Sequence, residues 1–308
     1  MSRDLWDRKA NKLVRRNWET LCELWLDYPL LRGTPGVPPD HEVSELESLQ
    51  QELQDIDGNQ PKDIQEDIVG LRESILKQGL FQFQKAAHIL NGAQIHIDKG
   101  MPSWSLSSAY HSAFCAVNGI LNLLGITFVQ TSRGSFLIDV WSEPPEKSTH
   151  KRDTSRNTRL QKTPGLPDQK NVWQVFQRIL RINPFNDDII SEDWTTALLA
   201  LENTDFSRMR NAVHYRASNW PFDDVRSFVT TTHFQLDSVD LMHGCFVNDP
   251  ENSVFPLALA FMIVRIGHQM LKSLVSMSIL LQPELDVFYR WLYGDNNLLY
   301  QTSFPCAR

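Results

Sequence analysis

Residues 208–216 read RMRNAVHYR, placing Arg208, Arg210, Asn211, His214, Tyr215 and Arg216 within nine positions. On a helix, Arg210 and His214 are four apart and share a face, and Asn211 lies three before His214. An imidazole of near-neutral pKa can take or give a proton. A guanidinium can neutralise charge developing on phosphate oxygens, often through two parallel hydrogen bonds. A carboxamide can orient either group. Together these groups suit a phosphodiester reaction, although the same spacing also fits an ordinary structural helix end. Thr204 and Asp205 just upstream are side chains suited to cap such a helix.

Two other groups of cations could serve the same chemistry. Arg265, His268, Gln269 and Lys272 interrupt the long apolar stretch 254–281 at offsets of 3, 4 and 7 from Arg265, which is one helical face. Ionisable groups at mid-span are costly in lipid. The stretch therefore reads as a core helix with a polar stripe, and no membrane span is expected. The stripe could line a substrate cleft or simply snorkel to solvent. The second group lies in 144–170, which is almost without apolar residues. Between 147 and 162 it carries six Lys/Arg, including Lys151, Arg152, Arg156 and Arg159, against one Asp. It reads as a flexible basic loop, either a solvated insertion or an arm reaching nucleic-acid phosphates.

Other chemistries lack their motifs. There is no P-loop, no GxGxxG, no GxSxG elbow and no HExxH. The nine His residues are scattered, so neither a metal site nor a cofactor is expected. Cys22, Cys115, Cys245 and Cys306 lie far apart, as in a reduced cytoplasmic protein. The N-terminus is charged throughout and lacks the apolar core of a secretory signal. With 308 residues, 42% apolar and 22% charged, the chain can bury a sizeable core. A net charge of −7 argues against a general nucleic-acid coat, not against a local basic site.

The elements that must position these residues are mostly helical. Residues 2–28 read as an amphipathic helix, and 33–40 as a Pro/Gly linker. The acidic stretch 42–77 holds ten Asp/Glu and has a helical pattern broken near 57–61. A long helix is expected over 63–91, ending at the Asn91-Gly92 cap pair, and another over 105–124, carrying Tyr110 and His111. ITFVQ and SFLIDVW, joined by a turn, predict a β-hairpin at 126–141. Helices are expected at 171–182, 191–203 and 254–281, with a last one from Pro283 to Gly294. Residues 222–247 fit either helix or mixed structure. The division is an N-terminal helical extension and linker, 1–62, and a helical domain, 63–308, with the hairpin and basic loop inserted.

AYHSAFCAVNGILNLLGI on one helix, followed later by FSRMRNAVHYR on another, resembles the HEPN superfamily, nearest its YaaC-like bacterial group. The resemblance covers roughly residues 63–281 and implies a helical bundle whose signature is an Arg, usually followed by a polar residue, and then a His, with four to six residues between the Arg and the His. His214 then matches the family histidine and Asn211 its polar companion. Arg210 precedes Asn211 as the pattern wants but lies one residue too close to His214; Arg208 fits the gap but lacks the adjacent Asn. The resemblance implies metal-independent RNA cleavage by the 2′-OH, a composite site in a homodimer, and a toxin or antiviral-defence setting with a possible partner protein. Tyr215, Arg216, Arg265, His268, Lys272 and the basic loop would then hold RNA. The family's non-catalytic members imply the rival reading, a scaffold that binds a partner or nucleic acid.

Overall fold

The computed structural model describes residues 17–28, 62–64, 68, 70–131, 134–142, 157–163, 169–201, 236–247 and 255–294. The described residues are mostly helical, with one small antiparallel sheet. In chain order the elements are α1 (Trp18–Trp25), β1 (Lys62–Ile64), α2 (Leu71–Asp98), α3 (Pro102–Leu123), β2 (Ile126–Thr131), β3 (Gly134–Asp139), β4 (Thr158–Thr163), α4 (Gln169–Ile182), α5 (Glu192–Ala200), α6 (Val239–Val247), α7 (Phe255–Ser276) and α8 (Gln282–Tyr293).

The centre is a bundle of α2, α3 and α7, with α8 laid on α2. A short turn, with Gly100 at φ 71°, reverses the chain between α2 and α3. Small residues let these helices approach closely. Phe83 of α2 fills a notch made by Gly119 of α3 and Gly267 of α7. A Cβ added at Gly119 would lie 2.9 Å from the Phe83 ring, and one at Gly267 only 1.7 Å from it. The apolar stretch around 254–281 is the core helix its polar stripe implied. Phe255–Ser276 is long and apolar enough to cross a membrane, yet 72% of its apolar window is buried inside the protein.

The chain leaves α3 through Gly125, whose φ of 81° and closeness to Trp141 admit no side chain. The hairpin expected at 126–141 forms as β2 and β3, in register from Ile126↔Asp139 to Thr131↔Gly134. It belongs to a four-stranded sheet of order β1-β4-β3-β2. Two sequence expectations need correction here. Part of the expected flexible loop, 158–163, is the strand β4, held between β3 and β1. The helix expected over 63–91 is instead strand β1 followed by α2, which begins at Leu71 and runs through Asn91-Gly92 to Asp98. The local cap signal is overridden because α2 buries a face along most of its length, and packing outweighs a single glycine's cost of about 1 kcal/mol.

One buried cation joins sheet to bundle. Arg72, near the start of α2, is fully buried. Its Nη2 donates to the Val140 carbonyl at 3.0 Å and to Thr158 Oγ1 at 3.5 Å. Its guanidinium carbon lies 4.6 Å from the Trp141 ring centre and 5.3 Å from that of Tyr28. On α1, Trp18, Leu21, Cys22 and Trp25 form the buried face, and Asn17 caps the helix by accepting from the Thr20 amide at 2.9 Å. The Trp25 indole donates to the Leu123 carbonyl at 2.8 Å, satisfying an acceptor at the end of α3.

The glycine notch yields a direct test. Gly267→Ala should destabilise the fold by about 1–3 kcal/mol or more through overpacking, read from urea denaturation. Adding Phe83→Leu should recover part of that loss. A Gly267→Ala protein as stable as the wild type would contradict the notch.

Candidate functional site

Arg208, Arg210, Asn211, His214, Tyr215 and Arg216 lie outside the described residues, as do Lys151, Arg152 and Arg156. The residues flanking 202–235 are described, and both are anchored. The Leu201 carbonyl, just after α5, accepts from Gln177 Nε2 of α4 at 2.5 Å. The Leu236 carbonyl, just before α6, accepts from Arg265 Nε of α7 at 3.1 Å. The Arg265 guanidinium also lies over the Trp194 ring of α5, 5.5 Å from its centre. α5 and α6 touch each other, and α6 packs on α7. Arg265 therefore clasps the elements that deliver the Arg/His-rich segment. Burial pulls its pKa down, and Asp237 partly offsets this.

The rest of the expected polar stripe divides by burial. His268 is 6% exposed. It stacks on Phe288 of α8 with an interplanar angle of 9°, and its Nε2 hydrogen-bonds the Tyr289 hydroxyl. Burial, with help from Lys272 and Arg265, pushes its pKa down to about 3. At neutral pH His268 is an uncharged core side chain joining α7 to α8, unsuited to holding phosphate by charge. Lys272, one turn on, is exposed.

Arg159 also has a structural partner. It lies on β4, and its Nε and Nη2 donate to the two carboxylate oxygens of Asp63 on β1 at 2.9 and 3.2 Å. Asn157 donates to the same carboxylate at 3.1 Å. This paired geometry ties the edge strand β1 to the sheet. On α3, Tyr110 is buried, whereas His111 is exposed and rims a groove between α2, α3 and β2. Lys85 and Gln82 of α2 and Asn118 of α3 also line that groove; sequence reading passed over them. The signal was present as polar residues at 78, 82 and 85, one helical face. Among the described residues, no group of three or more His, Cys, Asp or Glu could hold a metal ion.

The His268 environment sets a pH dependence. The histidine binds a proton near pH 6.5 when unfolded and near pH 3 when folded. Its contribution to stability is thus fully present above about pH 6.5 and is lost progressively as pH falls toward 3. The expected slope is at most about 1.4 kcal/mol per pH unit for this one group. In chemical denaturation from pH 7 to 4, His268→Leu should show a shallower fall in stability than the wild type. Identical slopes would remove His268 as a cause.

Set against protein-family models, curated proteins and solved structures, the chain matches none, and its function rests on its own residues.

Proposed function

We propose that the chain is a metal-independent endoribonuclease of the HEPN type, with Arg210, Asn211 and His214 as its catalytic residues and Arg208 as the alternative arginine. The observation that carries this reading is the density of Arg, Asn and His in 208–216, within a segment whose flanks are fastened by Gln177 and Arg265. The mostly helical bundle is compatible with it. The burial of His268 also leaves His214 as the stronger acid/base candidate of the two.

In the proposed reaction, the RNA 2′-oxygen attacks the adjacent phosphorus and the bond to the next nucleotide's 5′-oxygen breaks. His214 takes the 2′-OH proton while water protonates the leaving 5′-oxygen, or it protonates that oxygen while water takes the 2′-OH proton. Arg210 stabilises the charge gathering on the phosphoryl oxygens. The products are a 2′,3′-cyclic phosphate end and a 5′-hydroxyl end. By the family resemblance, two copies of the site meet in a homodimer, in a toxin or antiviral-defence setting with a partner protein.

A second reading, a non-catalytic scaffold, is favoured by one specific observation. Three of the residues expected to hold RNA already serve the fold: Arg159 binds Asp63, Arg265 clasps Leu236, and His268 is buried beneath α8. In that reading, the acidic segment 42–77 and the remaining basic residues of 147–162 engage a partner.

Incubating purified protein with end-labelled RNA in EDTA separates the two. The ribonuclease reading expects cyclic-phosphate ends, and a rate reduced on the order of a hundredfold or more in His214→Ala. Equal cleavage by wild type and His214→Ala would sink the assignment. No cleavage by folded wild type, alone or with a partner recovered from its host, would favour the scaffold.

A further inference from the structure

Between α2, α3 and the edge strand β2 lies a half-open groove of about 410 Å³. That is within the range of about 300–1,000 Å³ typical of small-molecule pockets. Its lining is ordered by the antiparallel run of the two helices. At one end, Gly79 lies against Asn122 and Leu123; further along, Ser112 Oγ donates to the Ala86 carbonyl at 2.7 Å. Gln78, Asn122 and Thr127 therefore share one end of the groove, while Lys85, Cys115, Ile89 and His111 share the other.

The two ends differ chemically. At the first, Thr127 Oγ1 donates to Gln78 Oε1 at 3.2 Å, which leaves the Gln78 amide nitrogen as a donor. Midway, Asn118 Nδ2 donates to the Phe114 carbonyl at 2.8 Å, which leaves Asn118 Oδ1 as an acceptor. At the second end, exposed Lys85 and His111 supply the polar heads, and Lys85 lies close enough to Cys115 to act on its thiol electrostatically. Half-buried Phe114 and Phe128 also line the groove and offer ring surface. Among the described residues lining the groove there is no Asp or Glu. A cation without a lining carboxylate, two aromatic rings and a fixed donor–acceptor pair describe a complementary ligand.

We propose that this groove binds a small organic anion bearing a flat ring. The ring rests against Phe114 and Phe128, its polar edge meets Gln78 and Asn118, and its carboxylate or phosphate faces Lys85 and His111. The site stands apart from residues 208–216 in sequence and does not require that the chain cleave RNA.

The test is equilibrium binding to the full chain by calorimetry, with 4-hydroxybenzoate and uridine 5′-monophosphate as probes. The neutral counterparts 4-hydroxybenzamide and uridine, and inorganic phosphate, are the controls. At least one anion should bind saturably, with its neutral counterpart and phosphate at least about tenfold weaker, since losing a charged contact of 1.4 kcal/mol is a factor of ten. The tighter anion tells carboxylate from phosphate. Lys85→Ala, a change at an exposed side chain, should weaken binding about tenfold, and Gln82→Ala should weaken it less. Binding should persist in Arg210→Ala/His214→Ala, which separates this groove from the proposed nuclease site. Absence of saturable binding by either anion to folded protein would overturn the proposal. So would inorganic phosphate binding as tightly as the ringed anions, or affinities untouched by Lys85→Ala and His111→Ala.

Discussion

The burial of Arg72 constrains the fold at its most exacting point. A fully buried guanidinium loses its hydration, at a cost of several kcal/mol unless the interior replaces it. Here the replacement comes from three directions: the Val140 carbonyl after β3, the Thr158 hydroxyl of β4, and the ring faces of Trp141 and Tyr28. A desolvated cation over an aromatic face contributes roughly 2 kcal/mol or more. Arginine suits the place better than lysine because its planar cation is weakly hydrated and can stack while donating. These contacts are all made only when α2, the sheet and the residues following α1 are assembled together. Trp25 reinforces that junction, meeting Trp141 edge-on at 5.0 Å while bonding the end of α3.

From this junction, five cations of the described residues sort into two kinds. Arg72, Arg159 and Arg265 each join elements far apart in the chain, and each is at least partly withdrawn from water. Lys85 and Lys272 stand exposed. The first kind holds the architecture, including the flanks of 202–235; the second kind is open to solvent. An acidic chain can therefore hold an anion-handling site without a generally basic surface.

Much of the architecture was legible from local signals. The hairpin at 126–141 followed from two β-rich runs and their turn. The last helix followed from Pro283 at its start and Gly294 at its end, and both occupy those positions. The core helix α7 followed from ionisable groups at mid-span of an apolar stretch, which are costly in lipid. What escaped was non-local. TRLQKT of β4 has Leu160 as its single large apolar residue, and it is a strand because β3 and β1 pair with it. Arg159 read as a loop cation because its partner Asp63 lies 96 residues away. His268 looked like part of a polar face, since neither Phe288 nor Tyr289 is near it in sequence. The residue types at 208–216 were legible, and their placement lies outside the described residues.

On the proposed ribonuclease reading, the division between structural and chemical cations is most directly tested by the salt dependence of RNA affinity, measured in a His214→Ala background to remove the proposed cleavage. Each single-strand phosphate contact contributes about 0.7 to the slope of log affinity against log salt concentration. Arg210→Ala should lower the slope by about that amount and weaken binding at low salt. Arg159→Ala should destabilise the fold while leaving the slope unchanged. The opposite pattern, a slope that falls with Arg159→Ala and holds with Arg210→Ala, would contradict the account.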